Sequence, residues 1–339
     1  GQHVGLIAGY LRFADPFDEA LLRHAFDSAI KHDDRLALRN VLLTAVSQFE
    51  KYPGTLMDVF IPALRLLTAA GDHSWVRMPW FSWLGSPIIR ALDEEEAAVV
   101  LDALVCYPQL EDSAEDIAAA IAEKWPASVV TFIGNRLAFA RTDDVPARYD
   151  ALPFAVHELQ APLATDPELV LKGARKWYDA YPDYFIYDGG KLLASVFPDL
   201  SNGLEERLAA IVADGNQNSY AFVLSILSAF EGKPCVYALV QTVVAKLDPG
   251  NVLLDEARSV LWQSGVVSGQ FGLVELYTKR KEMIEAWFDD ARENVRRFAT
   301  EYVRELERSI AAENRSAEAS LALRKLEYGE ELDDGKAEG

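Results

Sequence analysis

The chain has 339 residues, of which 50% are hydrophobic and 25% charged, with 20 Gly and 15 Pro. This composition is typical of a folded protein and excludes a disordered or fibrous one. The formal net charge of −20 argues against a surface that binds nucleic acid or anionic lipid along its whole length.

Helix signals dominate from the N-terminus onward, and strand signals are nearly absent. Asp15 and Pro16 predict an N-cap followed by a first-turn proline, for a helix that ends near Lys31. Asp34 and its neighbour predict the start of a second helix, and Thr55 predicts the cap of a third. We expect a kink in the third helix at Pro62. Further helix starts are expected near Trp80, Asp93, Ser113, Pro126, Arg148, Thr165, Asp188, Asn202, Ser219, Lys233, Asn251 and Gln270.

The spacing of these starts predicts a repeat architecture. Two helices and two short turns occupy roughly 40 residues, within the range of HEAT or armadillo repeats. Each helix has an apolar stripe that it can bury only against its neighbours. We therefore predict an all-α fold, a right-handed α-solenoid of HEAT-like hairpins over residues 1–269. Because no residue-level consensus recurs, a compact all-α domain remains an alternative.

The C-terminal part has a different character. From Gln270 an apolar helical period continues past Ile310, much longer than the usual helix. It predicts either one long helix or two helices joined near Asp289 and Asp290. Residues 270–328 are thus expected to form a long helical segment packed on or extending from the array. Residues 329–339, which are rich in acids, are expected to form a disordered tail.

Catalytic motifs are missing from the sequence. His157 and Glu158 begin like a metalloprotease helix, but no second histidine follows four residues later. Most acidic doublets lie where helices start or stop, as caps do, and no glycine loop for phosphate occurs. We predict no catalytic, cofactor or metal residues. The rival interpretation is a compact all-α magnesium enzyme, with Asp143, Asp144 and Asp150 as ligands.

Three groups of residues are candidates for binding a partner. They are an aromatic cluster near Pro79, a tyrosine group around Pro182 and a triple basic run, all residue types common at interfaces. The alternatives are core packing for the aromatic groups and a solvated, salt-bridged face for the basic run. The candidate residues are Trp80, Trp83, Tyr184, Tyr187, Lys279, Arg280 and Lys281.

Four stretches in the C-terminal part resemble a known type of region. Residues 259–272 (SVLWQSGVVSGQFG), 277–281 (YTKRK), 295–299 (VRRFA) and 310–318 (IAAENRSAE) are similar to the closing portion of HEAT-like α-helical regions in large bacterial multidomain proteins. Some such proteins carry NTPase or effector modules ahead of the repeats and are associated with anti-phage defence. The resemblance implies a recognition or scaffolding role and gives no catalytic residue. The start at Gly1, without Met, suggests a piece of a longer protein.

These observations predict a non-enzymatic helical-repeat module that acts as a sensor or scaffold. Its expected partner is another protein or other domains of its own chain. A HEAT-like DNA-binding protein is a further alternative, but it needs a concave basic stripe that the acidic composition disfavours. Two cysteines, Cys106 and Cys235, without disulfide or zinc spacing favour a cytoplasmic location, and no stretch predicts a membrane partner.

Overall fold

The computed structural model describes residues 2–78, 81, 86–153, 155–263 and 269–328. Over these ranges the chain is helical, without a β-strand, and the prediction of an all-α protein is confirmed. No helix within them is long and apolar enough to cross a membrane. The candidates Trp80 and Trp83 and the predicted tail at 329–339 lie outside the described residues.

Contacts between residues group the chain into two units, Gly1–Leu204 and Glu205–Gly339. The first contains α1 (Gln2–Leu11), α2 (Glu19–Lys31), α3 (Arg35–Gln48), α4 (Pro53–Ala69), α5 (Pro87–Ala91), α6 (Glu94–Val105), α7 (Ser113–Ala122), α8 (Pro126–Phe139), α9 (Gln160–Leu163), α10 (Pro167–Ala180), α11 (Pro182–Phe185) and α12 (Lys191–Val196). Short 3-10 turns at Ser74–Arg77 and Pro198–Leu200 and a π-helical turn at Ile186–Gly190 complete it.

The second unit begins with α13 (Leu204–Asp214), whose first residue lies at the boundary between the two units. It contains α14 (Gln217–Ser228), α15 (Pro234–Val244), α16 (Leu253–Trp262), α17 (Gly272–Glu285), a 3-10 turn (Ala286–Asp289) and α18 (Glu293–Tyr328). Of the two arrangements predicted after Gln270, the structure therefore has two helices with a junction at Asp289. The predicted division at residue 269 separates a repeat array from a long helical segment. The contacts that define the two units do not test such a division, so it stays a prediction.

Local capping chemistry sets several helix starts where the sequence predicts them. The carboxylate of Asp34 accepts the N–H of Ala37 at 3.0 Å and starts α3. Asp93 and Glu96 form a reciprocal capping box at the start of α6, with N–O distances of 2.8 and 2.9 Å. In both cases the two partners are three residues apart, so the signal is complete within one turn of sequence.

Three predicted starts were wrong. The cap of α2 is Asp18, which accepts the N–H of Leu21 at 2.9 Å, and Asp15 lies before the helix. The helix α4 begins at Pro53, so Thr55 lies inside its first turn, because a proline at the first position needs no N–H partner. No helix starts at Arg148, which lies in a loop with a φ of 66°. The helix α1 was not predicted.

A buried arginine of α8 holds the end of α6 and the loop after α8. The Arg136 side chain is 0% exposed. Its guanidinium donates to the carbonyl oxygens of Leu104 at 2.6 Å, Tyr107 at 2.8 Å, Asp150 at 2.6 Å and Ala151 at 2.8 Å. The last carbonyls of a helix have no partner within it, and here one side chain supplies donors to them. This explains why residues near 150 form a loop instead of the predicted helix.

The second unit also contains a buried arginine that donates to carbonyl oxygens at the end of a helix. Arg280 of α17 is 3% exposed and donates to the carbonyl oxygens of Trp262 and Gln263 at 3.0 and 2.5 Å, where α16 ends. Gly232 lies against the same place with a φ of +68°, and a Cβ there would be 2.4 Å from the Gln263 oxygen. A glycine is therefore required at 232, and Arg280 is a structural residue.

Asp290 fixes the junction before α18. Its carboxylate accepts the backbone N–H of Arg292 at 2.8 Å, the Arg292 Nη2 at 2.6 Å and the Gln241 Nε2 at 2.8 Å. The pKa of Asp290 lies well below its ordinary value. The hydrogen bond with the Arg292 side chain is the largest cause, and the other two donors lower the pKa further. The charged carboxylate thus joins α15 to the start of α18.

Replacing Arg136 tests the buried guanidinium. We expect Arg136→Met to lower the free energy of unfolding by about 3 kcal/mol or more, because it leaves several buried carbonyl oxygens without donors. Arg65→Met, at an exposed position of α4, is the control and is expected to change little. Denaturant unfolding measures the difference, and hydrogen exchange at residues 104–110 and 149–152 should accelerate only in the Arg136 variant. Equal stability of the two variants would contradict this role.

Asp290 predicts a pH dependence of the second unit. Because its pKa in the folded chain lies below the ordinary value of 3.8, its stabilising contribution is complete above that pH and is lost as the pH falls below it. Asp290→Asn should therefore be less stable than the unchanged protein at pH 7, and the difference should shrink as the pH drops below about 4. Thermal unfolding across this range measures it, and a difference that is independent of pH would refute it.

Candidate functional site

A groove of ≈ 700 Å³ lies between α8 and α10 of the first unit. These helices contact each other, and α8 also contacts α6. The α8 wall includes Ala127, Thr131 and Asn135, and the α10 wall includes Leu169 and Lys176. Because most of the lining atoms are carbon, the groove is an apolar depression on the molecular surface.

Two glycines determine the shape of its floor. A Cβ at Gly134 would lie 2.6 Å from the Trp177 Nε1, and one at Gly173 would lie 2.3 Å from the Val130 Cγ1. Any larger residue would therefore displace these side chains. The indole of Trp177, which is 8% exposed, lies across the floor as a result. The glycines let the helices approach closely while the groove stays open.

The rim of the groove is cationic on one side only. Lys172, Arg175 and Lys176 of α10 line it, whereas the α8 wall carries no charge. Lys172 forms an ion pair with Glu168 at 2.8 Å, and Arg175 forms one with Asp179 at 2.9 Å. Such exposed pairs are weak, since water screens them. Lys176 forms no ion pair with any residue that the structure describes.

The tyrosine group lies next to one end of the groove. Tyr181 lines the groove, and the guanidinium of Arg141 lies 4.8 Å from its ring centroid and 4.9 Å from that of Tyr184. Arg141 also forms an ion pair with Asp188 at 2.7 Å. Stacking and the ion pair together restrict the guanidinium and the two rings. Tyr184 is 59% exposed and Tyr187 is 67% exposed, so both predicted residues face solvent.

The rest of this group is part of the core. Tyr178 and Phe185 are buried and meet edge to face with centroids 5.5 Å apart. The π-helical turn at Ile186–Gly190 follows, and a Cβ at Gly189 would lie 2.4 Å from the Phe185 ring. Such turns widen a helix locally and are frequent at functional sites. The glycine thus permits the turn that places Tyr187 outside.

The basic run at 279–281 does not form a shared surface. Lys279 is exposed, Arg280 is buried, and Lys281 forms ion pairs with Glu307 at 2.8 Å and Glu285 at 3.6 Å. Because Arg280 is buried, it has no surface left for a partner, and its prediction as a partner-binding residue is wrong. For Lys281 the contacts favour the alternative interpretation, a salt-bridged helix face.

The carboxylates of the magnesium alternative do not come together. Asp143, Asp144 and Asp150 lie exposed in the loop after α8. Among the described residues there is no group of three or more His, Cys, Asp and Glu side chains that could hold a metal ion. This set of ligands is therefore contradicted.

Near the first aromatic cluster, Trp75 and Phe81 are fully buried, as core packing predicts.

Two further clusters were missed by the sequence analysis. The buried Glu115 accepts the N–H groups of His157, Glu158 and Leu159 at 2.6–3.2 Å and thereby caps the segment before α9. It borders a cavity of ≈ 640 Å³ that is lined by acids, where burial and neighbouring carboxylates raise the pKa of Asp116. Elsewhere, the Cys106 Sγ lies 3.4 Å from the His73 Nε2, and neither residue lines this cavity or the groove. Both clusters join residues far apart in sequence.

No family model, curated protein or solved structure matches this chain. The groove between α8 and α10 is the candidate site because it joins an apolar floor and a charged rim and has exposed aromatic side chains beyond one end.

Replacing Gly189 tests whether the π-helical turn that contains Tyr187 requires a glycine. We expect Gly189→Ala to lower the free energy of unfolding by about 1–3 kcal/mol, because the new methyl group collides with the Phe185 ring. Gly9→Ala is the control, since no atom lies within 4 Å of a Cβ there and alanine favours a helix. Urea unfolding compares them. A Gly189 variant as stable as the control would show that the turn tolerates a side chain.

Proposed function

We propose that this chain is a non-enzymatic helical-repeat module that binds a protein segment in the groove between α8 and α10. The observation that carries the proposal is the groove itself, which exposes apolar surface along two helices beside a cationic rim. Exposed apolar depressions of this kind on folded proteins are typical of interaction sites. Tyr184 and Tyr187 extend the proposed binding surface beyond one end of the groove.

The tyrosines support binding for an energetic reason. Tyrosine contributes a large, amphipathic contact area with few rotatable bonds. Arg141, held by Asp188, already restricts Tyr181 and Tyr184 through its contacts with both rings. These two tyrosines would therefore lose less side-chain entropy when a partner contacts them than unrestrained tyrosines would.

We also propose that the helices form a HEAT-like solenoid. Within the first unit α4 contacts α6, α6 contacts α8, and α8 contacts α10, while α5, α7 and α9 contact in the same order. Two rows of helices linked in this way support repeat stacking. In the second unit α14, α15 and α16 contact one another. The right-handed sense of the solenoid stays a prediction.

The biological setting stays a prediction as well. The resemblance to C-terminal regions of large bacterial proteins, with anti-phage defence as one association, suggests a sensor or scaffold attached to an effector or NTPase module. A cytoplasmic location agrees with it. Under this proposal the groove binds either another protein or a domain of the same longer chain.

A selection from a displayed library of random peptides of about 15 residues tests the proposal. We expect selection on the unchanged protein to enrich a set of peptides. These peptides should bind poorly to a Thr131→Trp variant, because its indole would occupy the groove. Thr278→Trp is a matched control, because both threonines are exposed and donate to the carbonyl four residues earlier, in α8 and α17.

The result is a set of dissociation constants, measured by fluorescence anisotropy with the enriched peptides. The proposal expects a loss of about tenfold or more with the Thr131 variant and little change with the Thr278 variant. If the library yields no binders, or if the two variants behave alike, the groove is not the binding site.

A further inference from the structure

We propose that the occupant of the groove is an amphipathic helix whose acidic residues face α10. This inference rests on the proposed function and specifies the chemistry of the partner. It follows from the length of the groove, from the hydrogen-bonding state of its walls and from the position of its charges.

The two walls have the dimensions of a helix-binding groove. On α8 the wall extends from Ala127 to Ala138, and on α10 it extends from Leu169 to Ala180. Each span covers eleven residue steps, about 16 Å or three turns of helix. A ligand helix of three turns presents apolar side chains at i, i+3 or i+4 and i+7, which is the pattern that such grooves recognise.

The walls favour a helix over an extended peptide. Both are α-helices, so their backbone N–H and C=O groups are already paired along the groove. An extended ligand would bury its own backbone groups against carbon atoms without partners. A helical ligand satisfies its backbone internally and brings only side chains to the floor formed by Gly134, Gly173 and Trp177.

The charges define one flank of the ligand. Lys172 and Lys176 lie four residues apart, on the same side of α10. Of these two lysines, Lys172 alone has an ion-pair partner among the described residues, and that pair is exposed to solvent. The facing positions on α8, Thr131 and Asn135, are uncharged. Carboxylates three or four residues apart on one flank of the ligand would therefore meet the lysines, while its other flank would be neutral.

The composition and the charge dependence of the selected peptides test this inference. We expect them to be helical, with apolar residues at i, i+3 or i+4 and i+7 and with Glu or Asp on one flank. Reversal of both lysines, Lys172→Glu with Lys176→Glu, should weaken binding about tenfold or more. The control is Lys31→Glu with Lys51→Glu, which makes the same change in net charge at exposed positions away from the groove.

A charge swap separates direct contact from a structural effect. Peptides whose flank carboxylates are replaced by Lys should bind the Lys172/Lys176 variant better than they bind the unchanged protein. A loss caused by disturbed folding would not be rescued in this way. Circular dichroism of the complex reports whether the bound peptide is helical.

The failures of the two proposals are distinguishable. If peptides bind in the groove but are basic, proline-rich or extended, or if the charge swap restores nothing, this inference is overturned and the proposed function stands. If light scattering shows a dimer that Thr131→Trp dissociates, the occupant is a second copy of the chain, and the inference is overturned. If no peptide binds and the protein is monomeric, the proposed function fails with it.

Discussion

The architecture of the first unit depends on one buried cation, the guanidinium of Arg136. An all-helical chain must end many helices, and each end leaves carbonyl oxygens that are costly to bury without donors. Arginine is suited to such a place, because its planar group carries five N–H donors and stays charged even where burial lowers its pKa, as it does here. Since Arg136 lies on α8, the same contacts that complete α6 also fix one wall of the groove.

Arg280 performs the same task at the end of α16, and this explains why the basic run was misleading. In the sequence, only its guanidinium group distinguishes Arg280 from Lys279 and Lys281. The three side chains have different environments because successive residues of a helix point about 100° apart, so one faces the interior while its neighbours face solvent. A run of charges on a helix therefore cannot be assigned to one surface before the buried face is known.

The parts of the fold that the sequence predicted are those in which cause and effect lie within one helical turn. Asp34 and Asp93 cap helices through groups three residues away, so the signal is local. The Arg136 contact with Leu104 spans 32 residues, and the Glu115 contact with His157 spans 42. No periodicity reports such pairings, because they arise only when helices pack. The groove was missed for the same reason, since Gly134 and Gly173 acquire meaning only opposite Trp177 and Val130.

Tyr184 and Tyr187 were predicted as candidates from the tyrosine group around Pro182, and the groove beside them indicates how, under the proposal, a predominantly acidic chain would bind an acidic ligand. The net charge of −20 repels carboxylates on average, whereas Lys172 and Lys176 provide local attraction at the α10 rim. At physiological ionic strength the repulsion is screened beyond roughly 8 Å, while contacts between a carboxylate and a lysine side chain act at shorter range. Attraction would thus be strongest where the apolar face of the ligand also fits. A partner of the same charge without an apolar stripe would be repelled and would gain no compensating contact, so under the proposal the surrounding acidity would contribute to specificity.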